Sequence, residues 1–177
     1  MTHDILTRRL TLRPWRPSDV DRYLEIYADA RVWRWLGANP QPVTERANAL
    51  AKIERWAALI DGPYGIWAAE PVESNSPAGT VILLRLPDAN DQPTNDVEVG
   101  WHFAPDSWGQ GYATEAADAL LDHAWQFGIP RVHAVVYPTN ERSIAVCERL
   151  GMTDAGLTSQ WYGTELRHFV IEQPPGY

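Results

Sequence analysis

Between residues 96 and 127 the apolar positions change their period once. From Asp96 to Phe103 they alternate, with Val97, Val99, Trp101 and Phe103 on one face and Asp96, Glu98, Gly100 and His102 on the other, which is the period of a strand. From Ala113 onward they recur at helical spacing, and Ala113, Ala116, Ala117, Leu120, Leu121, Ala124 and Phe127 form one apolar face. Pro105 ends the strand, while Gly128 and Pro130 stop the helix. Between the two lies a loop containing Gly109 and Gly111.

The same reading extends over the rest of the chain. A first strand carries Leu10 and Leu12 and ends at Pro14; Ser18 then caps a helix with Val20, Tyr23, Leu24 and Tyr27, and Asp21 stands at the capping-box position. An aromatic segment, Val32 to Leu36, leads to a loop with Pro40 and Pro42. Thr44 caps a second helix with Ala47, Leu50, Ile53, Trp56 and Ala57, ended by Gly62 and Pro63. Strands follow at 64–70 and 79–86, joined by a polar turn around Ser74 to Pro77, and a polar loop covers 88–95. After the central helix come a strand at 132–137, a helix at 140–150, and a hairpin of 155–162 and 166–172 around Gly163. Trp56, Trp67 and Trp125 fall at core positions. The order β-α-α-β-β-β-α-β-α-β-β is a mixed α/β (α+β) fold in one domain spanning 1–177, with 173–177 as a loose tail.

A glycine loop that opens a helix has a specific chemistry. Gly109 and Gly111 let the backbone turn and leave no side chain between its amides and a ligand, and the first turn of a helix offers unpaired N–H groups at the positive end of its dipole. That predicts an anion site, most naturally for a pyrophosphate. The dinucleotide fingerprint places a third glycine where Thr114 stands, and the phosphate-loop NTPases need a lysine where this chain, whose single lysine is Lys52, has none.

The run Trp108-Gly109-Gln110-Gly111-Tyr112-Ala113-Thr114-Glu115-Ala116 instead resembles the pyrophosphate motif of the GNAT acetyltransferases, in the form typical of the RimJ/RimL-like branch. Asn140-Glu141-Arg142-Ser143, leading to Leu150-Gly151-Met152, is similar to that branch's second signature, and Arg9-Leu10-Thr11-Leu12-Arg13-Pro14 to its opening. The resemblance implies a GNAT fold with a central, largely antiparallel sheet. It implies acetyl-CoA held in a V-shaped gap between the strands at 97–103 and 132–137 by Phe103, Gly109, Gln110, Gly111, Tyr112, Ala113, Thr114 and Asn140, with no metal. It implies direct attack by an amine acceptor, either a protein N-terminus or a small molecule. A bulge usually opens the gap, and Gly100 is a permissive place for one.

Moving an acetyl group from a thioester to an amine requires a base for the ammonium, a partner for the oxyanion and an acid for the thiolate. Glu98 on the central strand is the candidate base, acting directly or through a water, and His102 on the same face is the second choice. Each also has a structural reading, as a paired carboxylate and a satisfied histidine. The family's usual acid, a tyrosine seven residues after the motif asparagine, is Cys147 here, which reads as a small buried hydrophobe. In the RimL-like branch the serine of the second motif lies near the coenzyme sulfur, so the resemblance points to Ser143, also readable as a first-turn helix serine. Asn140 doubles as a helix N-cap. A backbone amide near Phe103 would meet the oxyanion. Trp33, Trp35, Trp161 and Tyr162 fall where the family builds its acceptor site, or else serve packing or a homodimer contact.

Composition narrows the partners. The formal charge of −8 disfavours nucleic acid, which needs clustered cations, and requires local amides and arginines to overcome the global field at an anionic cofactor. One cysteine excludes an internal disulfide and suits a reducing compartment. No run has the length of a signal peptide's apolar region or of a membrane span, so a cytoplasmic location is expected. The alternative to an enzyme is a non-catalytic acyl-CoA-binding or sensing module on the same fold, which the absent tyrosine keeps open.

Overall fold

The computed structural model describes residues 4–177; Met1 to His3, part of the stretch read for a leader, lie outside the described residues. The strands are β1 (Ile5–Leu6), β2 (Leu10–Pro14), β3 (Gly65–Pro71), β4 (Gly79–Pro87), β5 (Pro93–Phe103), β6 (Arg131–Val136), β7 (Thr153–Thr158) and β8 (Leu166–Glu172). The helices are α1 (Val20–Ala28), α2 (Ala30–Trp33), α3 (Arg46–Ala58), α4 (Tyr112–Gln126) and α5 (Glu141–Arg149). The strands form one sheet in the order β1-β2-β3-β4-β5-β6-β8-β7, and every neighbouring pair is antiparallel except β5 with β6. The mixed α/β, largely antiparallel architecture expected from the sequence is thus the one observed.

The alternation along β5 sorts its two faces. Val97, Val99 and Phe103 pack with Ala116, Ala117, Leu120 and Leu121 of α4 in one core that also takes Leu10, Leu12, Trp67, Trp125 and Cys147. The other face of the sheet meets α1 and α3 in a second core of Trp15, Tyr23, Ile26, Tyr27 and Ile53, with half-buried Trp56 in edge contact with Trp15, Tyr23 and Tyr27.

Several boundaries differ from the sequence reading. A 3-10 turn over Pro17–Asp19 precedes α1, so Ser18 does not cap it. α3 starts at Arg46 behind Glu45, one residue beyond the expected cap Thr44. β5 begins at Pro93, because the polar stretch before Asp96 continues as an exposed hairpin arm opposite Pro87. β7 runs 153–158, so Trp161 and Tyr162 leave the strand and enter its turn. Register with β4 is unbroken through Gly100, which therefore makes no bulge there; the shifts occur between Arg85 and Pro87 and between Asp154 and Gly156. Beyond β8, the Gln173 amide donates to the Pro130 carbonyl (2.9 Å) and the Tyr177 hydroxyl to Asp122 (2.8 Å).

One charged cluster sits inside. Arg13 is 2% exposed and forks onto the Asp19 carboxylate at 2.8 and 3.0 Å, while its other side meets Glu70. Asp19 also accepts from the Arg16 amide (2.8 Å), so the β2–α1 corner depends on this guanidinium. Arg13→Ala would leave Asp19 buried and unpaired, and is expected to cost about 3 kcal/mol or more in urea unfolding. A loss under about 1 kcal/mol would show the cluster to be dispensable.

Candidate active site

The parallel contact between β5 and β6 consists of one register pair, Glu98 opposite His133. Beyond it toward Phe103 and Val136 the strands part, and the space between them opens into a cleft of about 1080 Å³ walled by Glu98 to Phe103 on one side and Ala134 to Tyr137 on the other. The divergence of two strands, rather than a bulge at Gly100, makes the gap. The Ala104 amide donates to the Ala78 carbonyl on the β4 side (2.9 Å). Amide directions alternate along a strand, so the Trp101 and Phe103 N–H groups point the opposite way, into the gap.

Glu98 lies at the apex. It is 5% exposed, and its carboxylate accepts a hydrogen bond from the Tyr162 hydroxyl. Burial pushes its pKa up to about 7, against the opposing pull of that hydrogen bond. His102, two residues past Gly100 on the same face, is brought down to about 4 by desolvation, so its ring is neutral near pH 7 and too weakly basic to compete with Glu98. Its Nδ1 lies 3.2 Å from the Tyr27 hydroxyl, which is 2.6 Å from the Thr80 hydroxyl, so the ring is tied into the α1 face of the sheet.

At the mouth, Gly109 and Gly111 both hold φ near +77°, a conformation that favours glycine. Gly111 is the N-cap of α4, and its carbonyl accepts the first intrahelical bond from the Glu115 amide (3.0 Å). The amides of Tyr112, Ala113 and Thr114 therefore have no helical acceptor, and all three residues line the cleft. The Thr114 hydroxyl is buried there without a partner among the described residues. The loop is braced from outside. Glu115 accepts from the Thr7 hydroxyl, the Arg9 amide and Arg9 Nε, each at 2.7 Å, and Arg9 Nη1 donates to the Gln110 carbonyl (2.9 Å). Among the described residues nothing lies within 4 Å of where a Gly109 Cβ would stand, so the approach to these amides is open. The arrangement suits a pyrophosphate.

Comparison with known proteins agrees. The model of the family described as acetyltransferase (GNAT) domain matches residues 9–153. The chain belongs to the GNAT acetyltransferases. The uncharacterized N-acetyltransferase YnaD of Bacillus subtilis (strain 168) is 37% identical over 153 residues, covering 86% of this chain and 84% of that protein. YoaA of the same organism, also an uncharacterized N-acetyltransferase, is 26% identical over 157 residues, with 88% and 85% covered. Among solved structures, a GNAT-family acetyltransferase from Bacillus anthracis superposes with a TM-score of 0.79 at 21% identity, covering 96% and 98% of the two chains. RimL, the ribosomal L7/L12 alpha-N-protein acetyltransferase solved with coenzyme A, does so at 0.77 and 20%, with 96% and 98% covered. These two likenesses are of fold.

In this GNAT enzyme the second motif flanks the same cleft. Asn140 caps α5, its side chain accepting from the Ser143 amide (3.4 Å), and both residues line the cleft. Cys147 is fully buried in the core, away from the cleft lining, and burial pushes its thiol up to about 12, in keeping with the reading of a small buried hydrophobe. The aromatic candidates divide. Trp35 faces the cleft, 5.9 Å between ring centroids from Tyr137, whose hydroxyl reaches across to the Gly37 carbonyl (2.6 Å). Trp33 and Trp161 do not line the cleft. Trp161 is 3% exposed and packs on His133 and His168 because its indole N–H is held by Asp96 (3.1 Å). Its neighbour Tyr162 takes the place in the cleft. Arg142 of the second motif, stacked 4.2 Å from the Trp108 ring centroid, and Arg149, which lies outside any motif, add cations to the cleft.

Glu98 makes stability depend on pH. Its ordinary value is 4.5 and it stands at about 7 in the fold, so between those values the folded chain holds a proton the unfolded chain has released. The contribution is complete below about 4.5 and is lost as pH rises through about 7. In urea unfolding from about pH 5 to about pH 8, Glu98→Gln is expected to lose less stability than wild type, by on the order of 3 kcal/mol. Identical pH dependences would show that Glu98 is not held protonated by burial.

Proposed function

We propose that this GNAT enzyme moves an acetyl group from acetyl-CoA to a primary amine by direct attack in a ternary complex, with Glu98 taking the ammonium proton. The observation that carries this reading is the position of Glu98, a buried carboxylate at the apex of the β5–β6 gap with open amides at the gap's mouth. Acetyl-CoA would supply the thioester, held by the amides of 109–114 and by Asn140. The inward N–H groups of Trp101 and Phe103 would meet the oxyanion, and the Ser143 hydroxyl would hydrogen-bond the departing thiolate.

Proton affinity favours one acceptor class. A base at about 7 is better matched to an α-amine, with a pKa about 8, than to a lysine-type amine near 10. The charge of the cleft points the same way. Arg34, Arg142 and Arg149 line it against Glu98 and Glu141, while Arg31 is paired with Asp29; this is a poor surface for a polyamine and a suitable one for an α-amine whose chain carries carboxylates. The reading therefore favours a peptide N-terminus or an amino-acid derivative.

Calorimetric titration with acetyl-CoA, with ATP and NAD as controls, followed by thiol release against peptides and small amines, tests it. Expected are binding of acetyl-CoA alone and release with α-amines. In Glu98→Gln, kcat/KM should fall about 100-fold or more with acetyl-CoA affinity retained. Binding without acceptor-dependent release from any amine would favour the sensing module, and no binding would overturn the assignment of the 108–115 loop.

A further inference from the structure

Tyr162 occupies an unusual position for a tyrosine. Its φ is 58°, in the left-handed region that side chains with a Cβ rarely adopt, and such strain persists only where the surroundings over-determine it. The surroundings here do so. Asp96 accepts from the Trp161 indole N–H (3.1 Å) and from the Gln160 amide group (3.4 Å), and residue 161 bridges to Asp88. The Trp161 ring packs on His133 and His168, which are themselves joined at 2.8 Å from Nδ1 to Nε2. Gly163 follows, also left-handed, and a Cβ there would press on the Ala89 carbonyl at 3.2 Å. The corner is thus fixed to β5, β6 and β8 at once, and what it presents to the cleft is the Tyr162 hydroxyl, donated to Glu98.

We infer that Tyr162 is the positioning residue of this active site: the clamped 160–163 corner exists to hold its hydroxyl on the Glu98 carboxylate and fix that carboxylate as an oriented anion facing the acceptor. This deepens the reading of Glu98 as the base and rests on it. Among the described residues the buried Glu98 has no cation in an ion pair with it, so the hydroxyl is the group that counters its desolvation. The effect runs both ways, because burial first, and then the Glu98 charge and the hydrogen bond, raise Tyr162 and keep it a donor at working pH. The other titratable groups around the pair are His133 on β6, Asp96 and His102 on β5, His168 on β8, Arg31 and Arg34 at the α2 rim of the cleft, and Asp91, whose charge acts on Tyr162.

The test is Tyr162→Phe, which deletes one oxygen and leaves the ring. In protein labelled with 13C at the glutamate carboxyls, with the Glu98 signal assigned by its absence from Glu98→Gln, the titration midpoint is expected to rise by about one pH unit. The acid limb of kcat/KM should move by the same amount, a roughly tenfold loss below the midpoint, with acetyl-CoA affinity unchanged. Trp161→Phe, which removes only the N–H held by Asp96, should shift the midpoint in the same direction and less far. Thermal unfolding of each variant separates these effects from loss of the fold. A Tyr162→Phe midpoint that stays put or falls overturns the inference. A raised midpoint in a protein that acetylates no amine would sustain the Tyr162–Glu98 coupling while overturning Glu98 as a base.

Discussion

The register pair between β5 and β6 is the constraint on which the site depends. A continuous parallel ladder would fill the space between those strands with backbone hydrogen bonds, whereas one pair, Glu98 with His133, ties them at a point and lets them part beyond it. Three consequences follow from that divergence. Backbone N–H groups of β5 face open space instead of a neighbour, a carboxylate is trapped where the strands meet, and the start of α4 is set at the mouth of the opening. The antiparallel pairings on either side make the divergence tolerable, since β4 holds β5 over a long register and β8 holds β6 along its whole length.

The positive field needed for an anionic cofactor is local in a chain of net charge −8. It comes from dipole and amide orientation at the start of α4 and from arginines on α2 and α5. The remaining acidic charge is largely kept out of the cleft or spent on structure. Glu115, one turn into α4, could have offset the dipole from inside the site, but its three bonds to Thr7 and Arg9 turn it outward to fasten the N-terminal strand against the loop. The family's opening sequence and its glycine loop are thereby one structural unit, although about a hundred residues separate them.

What could be read from the sequence was what depends on local period and backbone freedom. The alternation at 97–103, the apolar face of α4 from Ala113 to Ala124 and the two glycines are properties of neighbouring residues, and each appears in the structure where the sequence placed it; Phe127, expected on that face, lies past the helix end and is exposed. Asn140 as a cap and Glu98 in the cleft were legible for the same reason. The misplacements share the opposite cause. Ser18 lost its cap because Asp19 answers to Arg13 on another element, and Trp161 left the cleft because Asp96, His133 and His168, from three different strands, hold it. Gly100 is permissive for a bulge, yet the gap arises from where β6 departs, which no property of β5 encodes. The arginines of the cleft carry no period, and only the fold gathers them.

Two buried carboxylates in this chain show how such a site can be told from structure. Asp19 lies against a guanidinium that forks onto it, so its charge is matched and its burial holds a corner together. Glu98 has, among the described residues, only a hydroxyl for a partner, and burial raises its proton affinity toward neutrality against that hydrogen bond. A cation beside Glu98 would match its charge, as a guanidinium does for a structural carboxylate, and drive its pKa far below that of any amine. A wholly apolar pocket would hold it protonated at working pH. One neutral donor, supplied from a clamped corner with Tyr162 at φ 58°, lies between these extremes and leaves the buried carboxylate titratable near neutral pH at the wall of the cleft.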